Sequence, residues 1–169
     1  MSNRKEIHDR VLNATSTDEL MDAYCEWADK YDNDLLNEMG YVAPMITCKL
    51  LQTYLHCKEA CILDAGCGTG IVGVHLHEEG YRHIEGIDYS RHMLDKAQKK
   101  DVYQTLKQSD LTQSLNIPDD TYDAIVSVGT FTCGHVGPEA LDELARITKP
   151  GGVVCFTVRE QAWEEDGYR

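Results

Sequence analysis

The stretch Cys61-Ile62-Leu63-Asp64-Ala65-Gly66-Cys67-Gly68-Thr69-Gly70-Ile71-Val72-Gly73 constrains this chain more than any other. Its apolar start, Cys61 to Leu63, reads as a short buried strand, the alternating glycines as a tight turn, and Ile71 onward as a helix. A strand that breaks at glycines into a helix gathers bare backbone N–H groups and a helix N-terminus at one point. Residues without a Cβ let a polar or anionic ligand group come close to that point. A second strand follows, Ile84-Glu85-Gly86-Ile87-Asp88, and ends on an acidic residue. Asp88 comes 18 residues after Gly70, close to the ~20 at which a nucleotide-binding unit sets a carboxylate against ribose hydroxyls.

Three adenosine-bearing ligands suit such a turn, and the residues separate them. The dinucleotide pattern G-x-G-x-x-G is out of register, because Gly66-x-Gly68-x-Gly70 leads into Val72 and Gly73. No G-x-x-x-x-G-K-[ST] phosphate loop occurs, which leaves ATP and GTP chemistry without a motif. Asp64, at the mouth of the first strand, repels a pyrophosphate but attracts an ammonium or sulfonium group. The cationic, phosphate-free adenosine cofactor is S-adenosylmethionine. Leu63 to Gly70 resembles motif I of the class I S-adenosylmethionine-dependent methyltransferases. The resemblance implies that Asp64, Gly66, Gly68, Gly70 and Asp88 bind that cofactor.

Taken in order, the chain opens its first clear helix at the capping box Ser16-Thr17-Asp18-Glu19. Leu20, Tyr24, Trp27 and Tyr31 follow at spacings of 4, 3 and 4, one helical face that core packing alone would explain. The segment Tyr24 to Asp32 also resembles the W-A-x-x-Y-D entry segment of the same family. By that resemblance Tyr31 covers the methionine part of the cofactor and Trp27 is a lid or core residue. Pro44 then opens a second helix at its favoured first position, with Ile46, Leu50, Leu51, Tyr54 and Leu55 as the expected buried stripe. Tyr54-x-x-x-Lys58 mimics a dehydrogenase couple but precedes the glycine turn, so it reads as chance. His75-x-His77 makes a poor metal site, since residues two apart on a helix face different ways, and no metal is expected.

Ser90 caps a helix through Met93, Leu94 and Ala97. The resemblance makes Tyr89 and Met93 adenine-side contacts, although ordinary packing accounts for Met93 as well. A weak third strand, Tyr103 to Lys107, leads to Ser109-Asp110-Leu111. In the family an acidic residue here meets the adenine amino group and the next backbone N–H a ring nitrogen. Asp110 and Leu111 match, while a plain turn is the other reading of Asp110. Tyr122 to Val128 is an apolar fourth strand, with Val128 at the cofactor end and the 129–137 loop beside the methyl group. In that loop His135 is the candidate general base and Cys133 a conceivable nucleophile. A helix carrying Leu141, Leu144 and Ala145 is broken by Lys149-Pro150-Gly151-Gly152, and Val153 to Val158 forms a fifth strand.

Strands alternating with helices give an α/β fold: a Rossmann-like, doubly wound parallel sheet ordered 3-2-1-4-5, with a ligand crevice between the first and fourth strands. One domain over 1–169 is expected, with an N-terminal helical cap and first helices over about 1–58, a cofactor-binding core over 59–159 and a short tail over 160–169. Family members normally add a helix and two strands, so the resemblance implies missing C-terminal strands, an open fifth-strand edge and self-association through it. No D/N-P-P-Y segment follows the fourth strand, and a net charge of −13 opposes nucleic-acid binding. Seven cysteines without a C-x-x-C pair, no apolar leader and no run of 18 apolar residues point to a reducing cytoplasm, or the nucleus, and away from a membrane. The expected activity is methyl transfer from S-adenosylmethionine to an unidentified small-molecule or protein acceptor. The alternative is a truncated or non-catalytic module that binds S-adenosylmethionine or S-adenosylhomocysteine.

Overall fold

A computed structural model describes residues 4–131, 136–165 and 168. Five parallel strands, β1 Cys61–Ala65, β2 His83–Asp88, β3 Thr105–Gln108, β4 Tyr122–Phe131 and β5 Thr148–Val158, pair in the order β3-β2-β1-β4-β5. This is the expected order. Central β1 aligns Ile62 with Ile84 on one side and with Ala124 on the other, so the winding reverses between β1 and β4. Helices cover both faces, which is why β1 is apolar and buried from Ile62 onward.

On one face, α4 (Ala43–Gln52) and α5 (Ile71–Glu78) bring Cys48, Leu51, Val72 and Leu76 against Ile62, Ile84 and Val126. On the other, α7 (Ala140–Ile147) sets Leu144 and Ile147 against Leu63, Ala65 and Ile125. A third cluster is built by α1 (Arg4–Asn13), α2 (Thr17–Trp27) and the π-helical turn Asp34–Glu38 that follows the short α3 (Tyr31–Asn33). There Ile7, Val11, Leu20, Ala23, Trp27 and Leu35 pack together and meet the sheet layer through Ile71. This cluster is the cap. Its helix α2 begins as read: the Ser16 hydroxyl accepts the Glu19 N–H, and the Glu19 carboxylate reaches back to Thr15, one residue earlier than the usual box partner.

Four local expectations change. In and just beyond α4, Leu51 and Leu55 are buried as expected, with Pro44, Thr47 and Cys48 beside them, whereas Ile46 (54% exposed), Leu50 (50%) and, past the helix end, Tyr54 (66%) face outward. Two faces of this helix have the right period, and the sheet takes the one whose small residues allow close approach. Pro44 occupies the second helical position, after Ala43. Lys149-Pro150-Gly151-Gly152 lies inside β5, where pairing jumps from Tyr122–Thr148 to Ala124–Val153. A bulge tolerates the proline that lacks an N–H, and Gly151 takes the left-handed conformation it requires (φ 80°). Finally, 160–165 forms a short helix, α8 (Glu160–Glu165), rather than a plain tail. The remaining helix is α6 (Arg91–Gln98), capped by Ser90 as expected. Among the described residues β5 has no strand on its outer side, and no helix is long and apolar enough to cross a membrane.

Candidate functional site

The site is built from the end of β1. The N–H groups of Gly66 and Cys67 both donate to the Ile87 carbonyl, at 2.8 and 2.9 Å, and pin the turn to β2. Gly66, Gly68 and Gly70 all have positive φ (75°, 54° and 90°), a backbone that side chains strain. A Cβ on Gly66 would collide with the Thr130 hydroxyl. At Gly68 nothing lies within 4 Å of a Cβ position, so this residue presents bare backbone to open space. The Gly68 N–H donates to Asp88 Oδ2 at 2.8 Å, and Ser90 N–H donates to Asp88 Oδ1 at 2.8 Å. The turn and the acidic strand end are thus one hydrogen-bonded unit. Burial pushes the Asp88 carboxyl above its ordinary value, opposed by the backbone donors of Ser90, Gly68 and Tyr89.

Around this unit lies a cleft of about 190 Å³. Nine of the twelve expected binding residues line it: Tyr31, Gly66, Gly68, Asp88, Tyr89, Met93, Asp110, Leu111 and Val128. Asp110 also makes the turn that was its other reading, since its Oδ1 accepts the Thr112 N–H at 2.9 Å and hydroxyl at 2.7 Å. Leu20, Met21 and Tyr24 of α2, Ser109 and Thr112 around Asp110, and Gly129, Thr130 and Val136 complete the wall. Of these, Leu20 and Tyr24 had a signal, the helical face read as core, whereas Thr130 reaches the turn only through the fold.

Three expected residues lie outside the lining. Trp27 is 2% exposed, donates its indole N–H to Asp34 Oδ2 at 2.8 Å and meets Tyr31 edge-on at 4.8 Å between ring centroids. It supports the tyrosine that lines the cleft. Gly70 is the N-cap of α5, and a Cβ there would lie 3.0 Å from the Tyr103 ring. Asp64 is corrected most. Strand alternation puts it on the same side of the sheet as Ile62, under the turn and fully buried rather than at a mouth. Its Oδ2 accepts the Tyr103 hydroxyl at 2.6 Å while Oδ1 has no partner. Burial pushes its pKa up to about 7, the Tyr103 hydrogen bond lowers it, and the Asp88 charge raises it. His135 and Cys133 lie outside the described residues.

The cap closes over the cleft through polar ties. Asp32 joins both the Thr69 hydroxyl in the turn and the Lys100 ammonium after α6, and Asp29 pairs with Lys96 on α6. Burial raises the Tyr31 hydroxyl well above its usual range, ahead of contributions from Tyr24 and Tyr41.

A glycine turn locked to an acidic strand end, at the point where a doubly wound sheet reverses, defines a Rossmann-like fold for an adenosine-bearing ligand. Residues 62–152 match the family model for a methyltransferase domain, and the chain belongs to the class I S-adenosylmethionine-dependent methyltransferases. It is similar to human methyltransferase-like protein 27, with 40% identity over 139 residues, 80% of this chain and 56% of that protein. Malonyl-[acyl-carrier protein] O-methyltransferase of Yersinia pestis is 32% identical over 159 residues, covering 87% of this chain and 56% of that one. The chain therefore spans a little over half the length of these relatives. A solved structure of a methyltransferase from Methanococcus maripaludis superposes with a TM-score of 0.65 at 22% identity, covering 85% of this chain and 69% of the other. The family's cofactor is S-adenosylmethionine, and the open Gly68 backbone beside Asp88 and Asp110 is a cradle that fits its adenosine end.

Proposed function

We propose that this protein binds S-adenosylmethionine in the cleft beneath the cap and transfers its methyl group to an acceptor at the carboxyl end of β4. The observation that carries this reading is the Gly68–Asp88 pair on the cleft wall, 2.8 Å apart. Asp88 accepts hydrogen bonds from the ribose hydroxyls, Asp110 and the Leu111 N–H take the adenine edge, and Tyr89 and Met93 flank the ring. Gly66 and Gly68 let backbone approach the ligand, while Tyr31, braced by Trp27, covers the methionine end, with Val128 opposite.

When bound, the cofactor supplies a methyl carbon already activated by its sulfonium, so that an acceptor lone pair forms the new bond as the carbon–sulfur bond breaks and S-adenosylhomocysteine leaves. The chain's own share is to hold the reactants in line and exclude water, a proximity effect of roughly 7–11 kcal/mol. His135 is the proposed acceptor base, placed by sequence in the loop after β4. The acceptor is a small molecule or a protein, since a chain of net charge −13 repels nucleic-acid phosphates. Relatives give no single acceptor: the Yersinia protein is named for malonyl-[acyl-carrier protein], a bovine one (37% identical over 71 residues) for guanine N7 of 18S rRNA. Self-association through the outer edge of β5 is the proposed protein contact, supported by the lack of a strand on that side among the described residues.

Calorimetry with S-adenosylhomocysteine and with NAD tests the binding reading: the first is expected to bind and the second not, and the reverse result overturns it. Incubation with methyl-labelled cofactor and a panel of metabolites and proteins tests transfer. Label in no acceptor, despite tight cofactor binding, leaves a non-catalytic binding module as the function.

A further inference from the structure

Tyr103, in the connection between α6 and β3, has a role that the proposed contacts leave out. It is half-buried, with its hydroxyl turned inward under the glycine turn. That hydroxyl accepts the Gly73 N–H at 3.1 Å and donates to Asp64 Oδ2 at 2.6 Å. Three glycines make room for it. A Cβ at Gly70 or Gly86 would sit 3.0 or 3.1 Å from the Tyr103 ring, and one at Gly73 would overlap the ring and its hydroxyl outright. Gly73 is the third residue of α5, so its N–H is one of the donors a helix leaves without an internal partner. Normally an N-cap side chain takes such a donor, but the N-cap here is Gly70, which has none. Tyr103 fills that place from a distant point in the chain.

We propose that Tyr103 is a positioning residue for cofactor binding: its hydroxyl caps α5 in place of Gly70 and holds the Asp64 carboxylate directly behind the turn. The inference rests on the cleft being the S-adenosylmethionine site. Asp64 does not line the cleft, so it acts through its charge, which favours a cationic ligand when ionised. The groups facing it are Tyr103 beside α6, Asp88 at the end of β2, Cys67 in the turn and Cys48 on α4. Burial raises both thiols and the Tyr103 hydroxyl, so they stay neutral, and among these described groups Asp88 is the other that carries charge. The Tyr103 hydrogen bond favours the ionised carboxylate, and removing it moves Asp64's titration upward.

The test is calorimetric titration with S-adenosylmethionine, which carries the sulfonium, from about pH 5.5 to about pH 8.5, bracketing the Asp64 value of about 7. Wild-type affinity is expected to rise with pH through a step near that value, and Asp64→Asn to flatten the step. Tyr103→Phe keeps the ring; it should bind about tenfold more weakly at neutral pH, with the step displaced to higher pH. A ring that merely packs would leave both the affinity and the step of Tyr103→Phe at wild-type values, which overturns the proposal. A wild-type affinity flat across the range overturns it without any variant. Failure of wild type to bind at every pH instead overturns the cofactor reading beneath it.

Discussion

The two walls of the cleft are held by different forces. The floor, made of the glycine turn and the ends of β1, β2 and β4, is fixed by buried backbone bonds: Gly66 and Cys67 to Ile87, Gly70 to Cys67, and the Ser127 hydroxyl to the Ala65 carbonyl at 2.7 Å. The cap has a small apolar core of its own that meets the sheet layer through Ile71, and its polar ties to the floor are Asp29–Lys96, Asp32–Lys100 and Asp32–Thr69. Buried hydrogen bonds in a packed sheet are costly to break, since each leaves an unsatisfied group away from water. Partly exposed ion pairs contribute up to about 1 kcal/mol each and weaken with salt. The floor is therefore preformed, and the cap is the wall that can move.

Breaking the floor should have the largest effects. Asp88→Ala removes the acceptor of two backbone donors together with the ribose contact. It is expected to weaken S-adenosylhomocysteine about 100-fold or more while the circular dichroism spectrum stays native. Unchanged affinity would refute the ribose assignment. Gly73→Ala and Gly68→Ala sharpen the contrast within the turn. The first drives a methyl into Tyr103 and should lower unfolding free energy by about 1–3 kcal/mol in a denaturant titration. The second enters open space, so its stability loss should be near the roughly 1–2 kcal/mol of a left-handed residue, with the greater harm to ligand affinity. Equal stability and equal affinity in the two variants would mean that Tyr103 does not prop the turn.

Asp64 gives the floor a pH signature. Its folded pKa, about 7, lies above the ordinary 3.8 kept by the unfolded chain. For a raised carboxyl the neutral form is favoured by folding, so its stabilisation is full below the unfolded value and is lost as pH rises through about 7. Asp64→Asn should accordingly stabilise the ligand-free protein more at mildly alkaline pH than near pH 5, the gain growing by about 1–3 kcal/mol between the two, as read from urea midpoints. A gain of the same size at both pH values would show that the buried charge is not its source.

How much of this was legible in the chain follows from the range of the interaction concerned. The turn and Asp88 were legible because adjacent residues set them, glycines where φ is positive and an acid closing an apolar strand, and the strand order because alternating strands and helices leave few topologies. Asp64 was misplaced although the information was local, since Ile62 and Asp64 share a face by simple alternation and that face points at α5. Along α4 and the turn after it, Ile46-Leu50-Tyr54 and Thr47-Leu51-Leu55 are equally periodic. Hydrophobicity mixes the two rows into one stripe, and only the sheet's demand for close contact selects the second. Thr130 against Gly66, and Tyr103 capping a helix that begins 32 residues earlier, at Ile71, join parts of the chain with no pattern linking them.

The smallest expected effect belongs to the cap and decides whether it binds or gates. The cleft of about 190 Å³ lies beneath the cap, so entry and exit of a nucleoside cofactor are expected to proceed through a transient outward shift of the cap, which recloses over the ligand. That shift must release Asp32 from Thr69 and Lys100. Asp32→Asn lowers the cost of release in the free and the bound protein alike. Stopped-flow measurement should then show association and dissociation of S-adenosylhomocysteine both accelerated by a few-fold, with affinity changed by less than about fivefold. Wild type in high salt should move toward the variant, because screening weakens the same ties. If Asp32→Asn instead costs as much affinity as Asp88→Ala, the two walls are equal parts of the binding site, and the division between a fixed floor and a movable cap fails.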